Sequence, residues 1–509
     1  MPASFLDRAR ARPGLVLLWV VCGLLVAAGV AAPSLGAASE DVPGVEAAPA
    51  PEEEASARQG PGLGISIASE GLDTSFPERL RSLLGMLALG ALAWAFSVNR
   101  AAIPWRVVAW GVSLQLVFAF FILKTAAGLA LFQGANTVVV GLLGYTLEGA
   151  RFIFGNLVDN NIPIGTGEPG NGDFNPIPGQ VANPAAYVAF TVLPTIIFLA
   201  SLMTVLYHLG VMQFVVRGMA WVMQRTMRTS GAETLSAAGN IFVGQTEAPL
   251  LIKPFVEKMT MSELNAVMTA GFATVAGGVM AAYVGFLISY FPDIAGHLMA
   301  ASVMSAPAAL MMAKLMYPED GEPETAGQLV TSVEKPDVNV IDAAARGAGD
   351  GLRLALNVGA MLLAFVALVY LINGLMGWAG GLVGLPDLTL QSVLGLALAP
   401  LAWLMGVPWA DAAEVGSLMG IKTALNEFVA YVELAGLLGE GSTLHPRSVV
   451  IATYALCGFA NFSSIAIQLG GIGGLAPSRR HDLSRIGLRA MVGGALAAFM
   501  TATVAGMIL

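Results

Sequence analysis

Cysteine is nearly missing from this chain: Cys22 and Cys457 are its only two among 509 residues. Both lie inside apolar runs, so neither a disulfide framework nor a cysteine-based metal cluster is available. Histidine is as sparse. His208, His297, His445 and His481 are scattered and form no His-x-x-x-His pair, which argues against a histidine zinc site. Charge is the third shortage. Only 12% of residues are charged, against about 25% in a soluble domain. The net charge of −9 comes partly from two acidic stretches, 40–54 and 317–325, and gives no reason to expect nucleic acid. Hydrocarbon fills the gap: 56% of the chain is hydrophobic, and the mean hydropathy is +0.73. Sixty glycines suit close helix packing and interrupted helices in a bilayer.

Residues 1–38 read as a signal peptide or an N-terminal membrane anchor. Arg8, Arg10 and Arg12 precede a continuous apolar run from Leu15 to Ala32, and small residues follow. Residues 39–76 are an acidic Pro/Ala-rich extracytoplasmic linker, too poor in core formers to fold. Eight apolar stretches of roughly membrane-spanning length then recur at about 80–98, 106–132, 186–210, 264–290, 294–316, 350–377, 447–473 and 486–508. The arginines between them (Arg100 and Arg106; Arg217, Arg225 and Arg228; Arg479, Arg480, Arg485 and Arg489) fall on one side of an alternating path. The positive-inside rule makes that side the cytoplasm. A multi-pass protein of the cytoplasmic membrane is expected, with residues 159–184 as an external loop.

Two segments do not fit as simple spans, 231–258 and 409–438. Each has an apolar arm, a polar middle and a second apolar arm, the pattern of a helical hairpin that enters the bilayer and returns. The first carries Thr246-Glu247 at its centre and the second Asn426-Glu427. After each comes a Gly-Phe-Ala phrase, GFATVAGG from Gly271 and GFANFSSI from Gly458. Hairpin, polar-Glu and Gly-Phe-Ala thus occur twice in one order, as in the inverted repeats of secondary transporters. The expected fold is an all-α polytopic membrane protein, with about eight spans and two opposed re-entrant hairpins. Its regions are 77–230, 231–316 (first transport repeat), 317–408, and 409–509 (second transport repeat).

The polar tips carry the chemistry. In GQTEAP, Gly244 and Pro249 rule out an intact helix and free backbone groups that need a partner. Gln245 and Thr246 each offer a donor and an acceptor, and Glu247 accepts. The structural alternative for Glu247 is pairing with Lys253. Glu427, in GIKTALNEFVAY, can accept two hydrogen bonds from a vicinal diol, which suits a sugar; its structural alternative is neutralisation by Lys422. Asn461, Ser463 and Ser464 are polar within an apolar span, and Phe459 and Phe462 are placed to flank a planar ring. Single serines in such helices commonly bond only the preceding turn. Asn240, Thr274 and the carbonyls of Val243 and Val275 would make a neutral oxygen cage, better suited to a monovalent than a divalent cation. An intramembrane enzyme using Glu247 or Glu427 would need a base–nucleophile pair or metal ligands in the spans, and none is found. A membrane sensor that binds the same ligand without moving it is the other rival.

Six phrases resemble the concentrative nucleoside transporter family, in family order: GNIFVGQTEAPLLIKPF, MTAGFATVAGGVMAAY, DAAARGAGDGL, PLAWLMGVPW, GIKTALNEFVAY and CGFANFSSIAIQLGGIGGLAP. They cover most of 80–509. The resemblance implies a homotrimer whose protomers divide into a scaffold and a moving transport part. It implies that Gln245, Thr246 and Glu247 meet the nucleobase and Glu427 the ribose. Phe459, Asn461 and Ser464 join them, the last two on ribose. It places a sodium site at Asn240, the Val243 carbonyl, the Thr274 hydroxyl and the Val275 carbonyl. No bound cofactor is implied. Some members use protons instead, but their first-hairpin wording departs from GNIFVGQTEAP, so sodium is the expected coupling ion.

Overall fold

The structure is a computed structural model that describes residues 75–158, 162–167, 175–182, 188–327, 337–382, 384–385, 387–439 and 444–508. The leader expected at 1–38 and all but the last two residues of the linker lie outside it. The first helices are α1 (Phe76–Ala95), α2 (Trp105–Lys124) and α3 (Ala126–Phe154). An antiparallel strand pair follows, β1 (Ile162–Thr166) and β2 (Asn175–Ala182), then α4 (Val188–Leu209) and α5 (Val211–Met227). The first hairpin is α6 (Gly231–Gly239), a tip, a 3-10 turn at Ala248–Ile252 and α7 (Lys253–Val256). Next come α8 (Met261–Ala273), α9 (Gly277–Leu287), α10 (Ile294–Met316), α11 (Val340–Gly381) and α12 (Leu390–Met405). The second hairpin is α13 (Ala412–Ala424) and α14 (Glu427–Gly439). It is followed by α15 (Pro446–Leu456), α16 (Phe462–Leu475) and α17 (Arg480–Ile508).

Three details differ from the sequence expectation. The apolar run 106–132 is two helices, α2 and α3, joined at Thr125. Hydropathy is continuous there, so only local chemistry marks the bend: the Thr125 hydroxyl accepts from the Gly128 N–H at 3.0 Å, and Gly128 has no room for a Cβ against the Phe121 carbonyl. The loop 159–184 contains the β-pair, with Ile162 opposite Ala182 and Thr166 opposite Asn175. Among the described residues seven helical segments are long and apolar enough to cross a membrane. Two expected runs are not among them: 447–473, which is split into the short helices α15 and α16, and 80–98, whose helix α1 carries Glu78, Arg79 and Arg81 in its first turns.

Hydrogen bonds between distant segments define two ends. At one end Val98 donates to the Met316 carbonyl (3.0 Å) and Gly231 to that of Thr325 (3.0 Å). Arg106 donates to the Thr226 carbonyl (2.9 Å), and Arg479 to those of Glu257 (2.9 Å) and Met259 (2.7 Å). The arginine-bearing segments near 100–106, 225–228 and 479 therefore meet at one end. At the other, Ser82 donates to the Met405 carbonyl (3.2 Å), Arg447 to that of Gly406 (2.9 Å), and the His445 N–H to Asp411 (2.9 Å). Helix α1 runs between them, Ser82 and Val98 lying roughly 24 Å apart at 1.5 Å per residue. The first hairpin begins and closes at the arginine end, at Gly231 and Glu257. The second begins at Asp411 and is left through His445, at the opposite end. Contact between Arg106 and Thr226 also requires an even number of crossings between them.

Burial divides the spans into two groups. The windows over Met261–Leu287, Ile294–Met316 and Pro477–Ile508 are 78%, 89% and 83% buried. Those of α2, α3, α4 and α11 are only 17–22% buried, so these helices turn apolar faces outward, toward lipid or another chain. Helix α11 has 42 residues, about 63 Å of helix, twice the ~30 Å hydrocarbon thickness. It packs closely on α4. Gly347 and Gly351 meet the backbone of Ile196–Ser201 with no space for a Cβ, and Ser201 Oγ donates to the Ala344 carbonyl at 2.8 Å.

Candidate functional site

Four helix interruptions converge: 240–247 at the first hairpin tip, 274–276 between α8 and α9, 425–426 at the second hairpin tip, and 457–461 between α15 and α16. Two of them touch directly. Gly458 has φ +142°, a conformation glycine alone adopts easily. A Cβ there would lie 2.9 Å and 2.8 Å from the carbonyl oxygens of Phe272 and Ala273. At the first tip, Gly244 is required for a different reason: a Cβ would collide with the Glu247 carboxylate, which folds back over it.

One cavity opens among these breaks. Gln245, Thr246 and Glu247 line it from the first hairpin, Asn426 and Glu427 from the second, and Phe459, Asn461, Ser463 and Ser464 from the fourth break. All seven residues expected to contact substrate therefore border one space. The opposite wall is apolar and comes from α11, through Leu354, Val358, Met361 and Leu362. A polar face meeting an apolar wall is the usual arrangement for holding a small polar ligand in register.

Glu427 is the electrostatic centre. It is 2% exposed and begins α14, where the free N–H groups of the helix favour a negative charge. Tyr283 donates to its Oε1 at 3.0 Å and Asn461 Nδ2 to its Oε2 at 2.8 Å. Asn461 is itself locked: its Oδ1 caps α16 by accepting from the Ser464 N–H at 2.8 Å, and it accepts from Ser463 Oγ at 2.7 Å. Asn426 caps α14 through the Val429 N–H at 2.9 Å. Lys422 does not pair with Glu427. Its Nζ donates to the Ala455 carbonyl at 2.7 Å and stands 5.6 Å from the Phe499 ring centre. No Glu247–Lys253 ion pair occurs among the described residues. Both carboxylates are thus left for something other than those lysines.

The expected cation ligands gather at the first and second breaks. The Gly277 N–H donates to the Phe242 carbonyl at 3.0 Å, tying the hairpin tip to the start of α9 beside Val243 and Val275. Asn240 is 1% exposed; its Nδ2 donates to the Ser236 carbonyl at 3.1 Å, while its Oδ1 has no hydrogen-bond partner. A buried amide oxygen without a donor is costly, by about 1–3 kcal/mol, and a cation would satisfy it. The Thr274 hydroxyl donates to the Ala270 carbonyl at 2.9 Å, so its lone pairs remain for a cation. No carboxylate belongs to the set, as suits a monovalent ion. Among the described residues no cluster of His, Cys, Asp and Glu could hold another metal.

Sequence reading missed Tyr283, Gln468 and the α11 wall. Tyr283 closes the quoted phrase MTAGFATVAGGVMAAY, but nothing local reveals that its hydroxyl reaches Glu427, 144 positions away. Gln468 follows Ser464 by one helical turn, a spacing that places both on one face. The wall of Leu354 to Leu362 is apolar sequence like any other.

Known proteins resemble this chain over most of its length. Sequence profiles described as Na+ dependent nucleoside transporter C-terminus, Na+ dependent nucleoside transporter N-terminus and nucleoside recognition (Gate) match residues 297–506, 84–157 and 189–290. An uncharacterized transporter of Haemophilus influenzae is 45% identical over 84% of this chain and 97% of its own length. Sodium/nucleoside cotransporter 1 of Mus musculus is 41% identical over 88% of this chain and 66% of its own. The solved structure of CNTnw in an inward-facing substrate-bound state is similar at 42% identity and TM-score 0.73, covering 85% of this chain and 98% of that one.

Proposed function

Since the chain belongs to the concentrative nucleoside transporter family, a family of membrane transporters rather than enzymes, we propose that it is a sodium-coupled symporter importing nucleosides across the cytoplasmic membrane by alternating access. The observation that carries this reading is the arrangement around Glu427. A buried carboxylate, each oxygen held by one protein donor, faces the same cavity as Gln245 and Thr246 and retains lone pairs for a diol. Glu427 and Asn461 take the ribose, with Ser464 beside them. Gln245, Thr246 and Glu247 take the base, and Phe459 packs on the substrate's ring face.

Sodium binds at Asn240, Val243, Thr274 and Val275, and ordering of the tip couples it to substrate. With the ion in place the backbone from Asn240 to Gly244 is fixed, and Gln245–Glu247 are presented in register. Carrying one cation with a neutral nucleoside gains about 2.3 kcal/mol per 100 mV, and a tenfold sodium gradient about 1.4 kcal/mol more. Together these support roughly 500-fold accumulation. The two hairpins and the interrupted helices move as the transport part along α11 and α4, whose close packing suits a fixed scaffold. The outward apolar faces of the lightly buried helices fit a homotrimer in lipid.

Uptake of labelled uridine and adenosine by proteoliposomes, with sodium and proton gradients imposed separately, tests this. Accumulation under sodium alone is expected. Accumulation driven only by protons would replace the ion, and accumulation under neither would remove the transport reading.

A further inference from the structure

Gln468 is fully buried behind Gln245, one turn beyond Ser464 on α16. Its Nε2 donates to the main-chain carbonyl of Met268 at 3.1 Å and to Oε1 of Gln245 at 3.0 Å. The first contact decides the orientation of both amides. A carbonyl can only accept, so the Gln468 atom facing Met268 is the nitrogen. That nitrogen then faces Gln245 as a donor, and Gln245 must answer with its oxygen. The Gln245 nitrogen is thereby turned the other way, to Ser464 Oγ at 3.3 Å, on the cavity wall. Gly271 makes the space: a Cβ there would lie 2.8 Å from Gln468 Nε2 and 3.0 Å from Gln245 Cβ.

We propose that Gln468 is a positioning residue that sets base selectivity, by holding the Gln245 amide so that it offers the cavity an N–H donor. The inference rests on the proposed reading that Gln245 meets the nucleobase. Such a donor favours a base edge carrying an oxo acceptor over one carrying an exocyclic amino group, because two facing donors leave both unsatisfied. Uridine is then preferred to cytidine, and inosine to adenosine. The mechanism is chemical orientation alone; Gln468 itself does not touch the substrate.

The test is competition against labelled uridine on the full-length protein in proteoliposomes at saturating sodium, comparing uridine with cytidine and inosine with adenosine. The wild type is expected to favour the oxo member of each pair by about tenfold. Gln468→Met removes the donor, frees Gln245 to rotate, and brings both ratios to about one with sodium half-saturation unchanged. A wild-type ratio near one overturns the proposal, and that measurement needs no variant to fold. So does a Gln468→Met protein that weakens both members of a pair equally, since a merely structural residue would do that. If unlabelled nucleosides do not compete at all in the wild type, the nucleoside reading of the cavity has failed, and no ratio exists to assign to Gln468.

Discussion

Replacing Glu427 with glutamine tests the ribose site most directly. The carboxylate has four lone-pair positions, and two side chains donate to it, Tyr283 to one oxygen and Asn461 to the other. In the proposed site a 2′,3′-diol donates to lone pairs that these two side chains leave, since Glu427 lines the cavity. Glutamine keeps the shape but removes the charge and converts one oxygen into a donor. If that donor faces Asn461 Nδ2, two donors oppose each other. If it faces Tyr283, the phenol can turn and accept, but one substrate hydroxyl still loses its acceptor. Each charge-assisted hydrogen bond contributes about 1.5–3 kcal/mol, so losing one raises Kd roughly 10- to 150-fold. Calorimetric titration of purified protein with uridine and with 2′-deoxyuridine separates this from misfolding. In the wild type the deoxy compound binds more weakly. In Glu427→Gln the two affinities converge, because the group that distinguished them has changed. A wild-type ratio that persists in the variant would refute the diol assignment, even if both affinities fell.

Asn240→Ala removes the unpartnered Oδ1 and should raise the sodium concentration for half-maximal uptake by about tenfold, the loss of a single ligand of roughly 1–2 kcal/mol. An unaltered sodium dependence in flux assays counts against the cage. Gly458→Ala places a methyl within 3.0 Å of two carbonyl oxygens at φ +142° and should abolish uptake while insertion into the membrane, read by fractionation, is retained. Lys314 is 5% exposed at its side chain and pairs with Glu233 and Glu319, each at 2.8 Å. Lys314→Ala strands Glu233 at the base of the first hairpin and should lower stability by about 3–5 kcal/mol, seen as a fall in the unfolding temperature of the detergent-solubilised protein. A fall of less than a degree would mean that the pair contributes little.

The hairpins were legible because polar residues in a hydrocarbon run cannot be ignored. Gly244, Pro249 and Glu247 forbid an ordinary span whatever surrounds them, and the repeat of Gly-Phe-Ala pointed to the paired breaks. The bend at Thr125 and the β-pair at 162–182 were not legible, because they depend on single local contacts within segments whose average polarity says nothing. The structural alternatives for Glu247 and Glu427 also needed coordinates. Sequence puts Lys422 one turn from Glu427, yet Lys422 reaches the Ala455 carbonyl instead.

Composition and pattern alone determined that this chain lives in a bilayer, that two polar tips interrupt it, and which side chains those tips carry. These follow from the cost of an unpaired polar group in lipid, which every residue meets locally. Only the tertiary structure decided that Tyr283 holds Glu427, that Gln468 orients Gln245, and that α11 supplies the apolar wall. Those are meetings of residues far apart in sequence, and hydrogen-bond direction and packing distance exist only once the helices have come together.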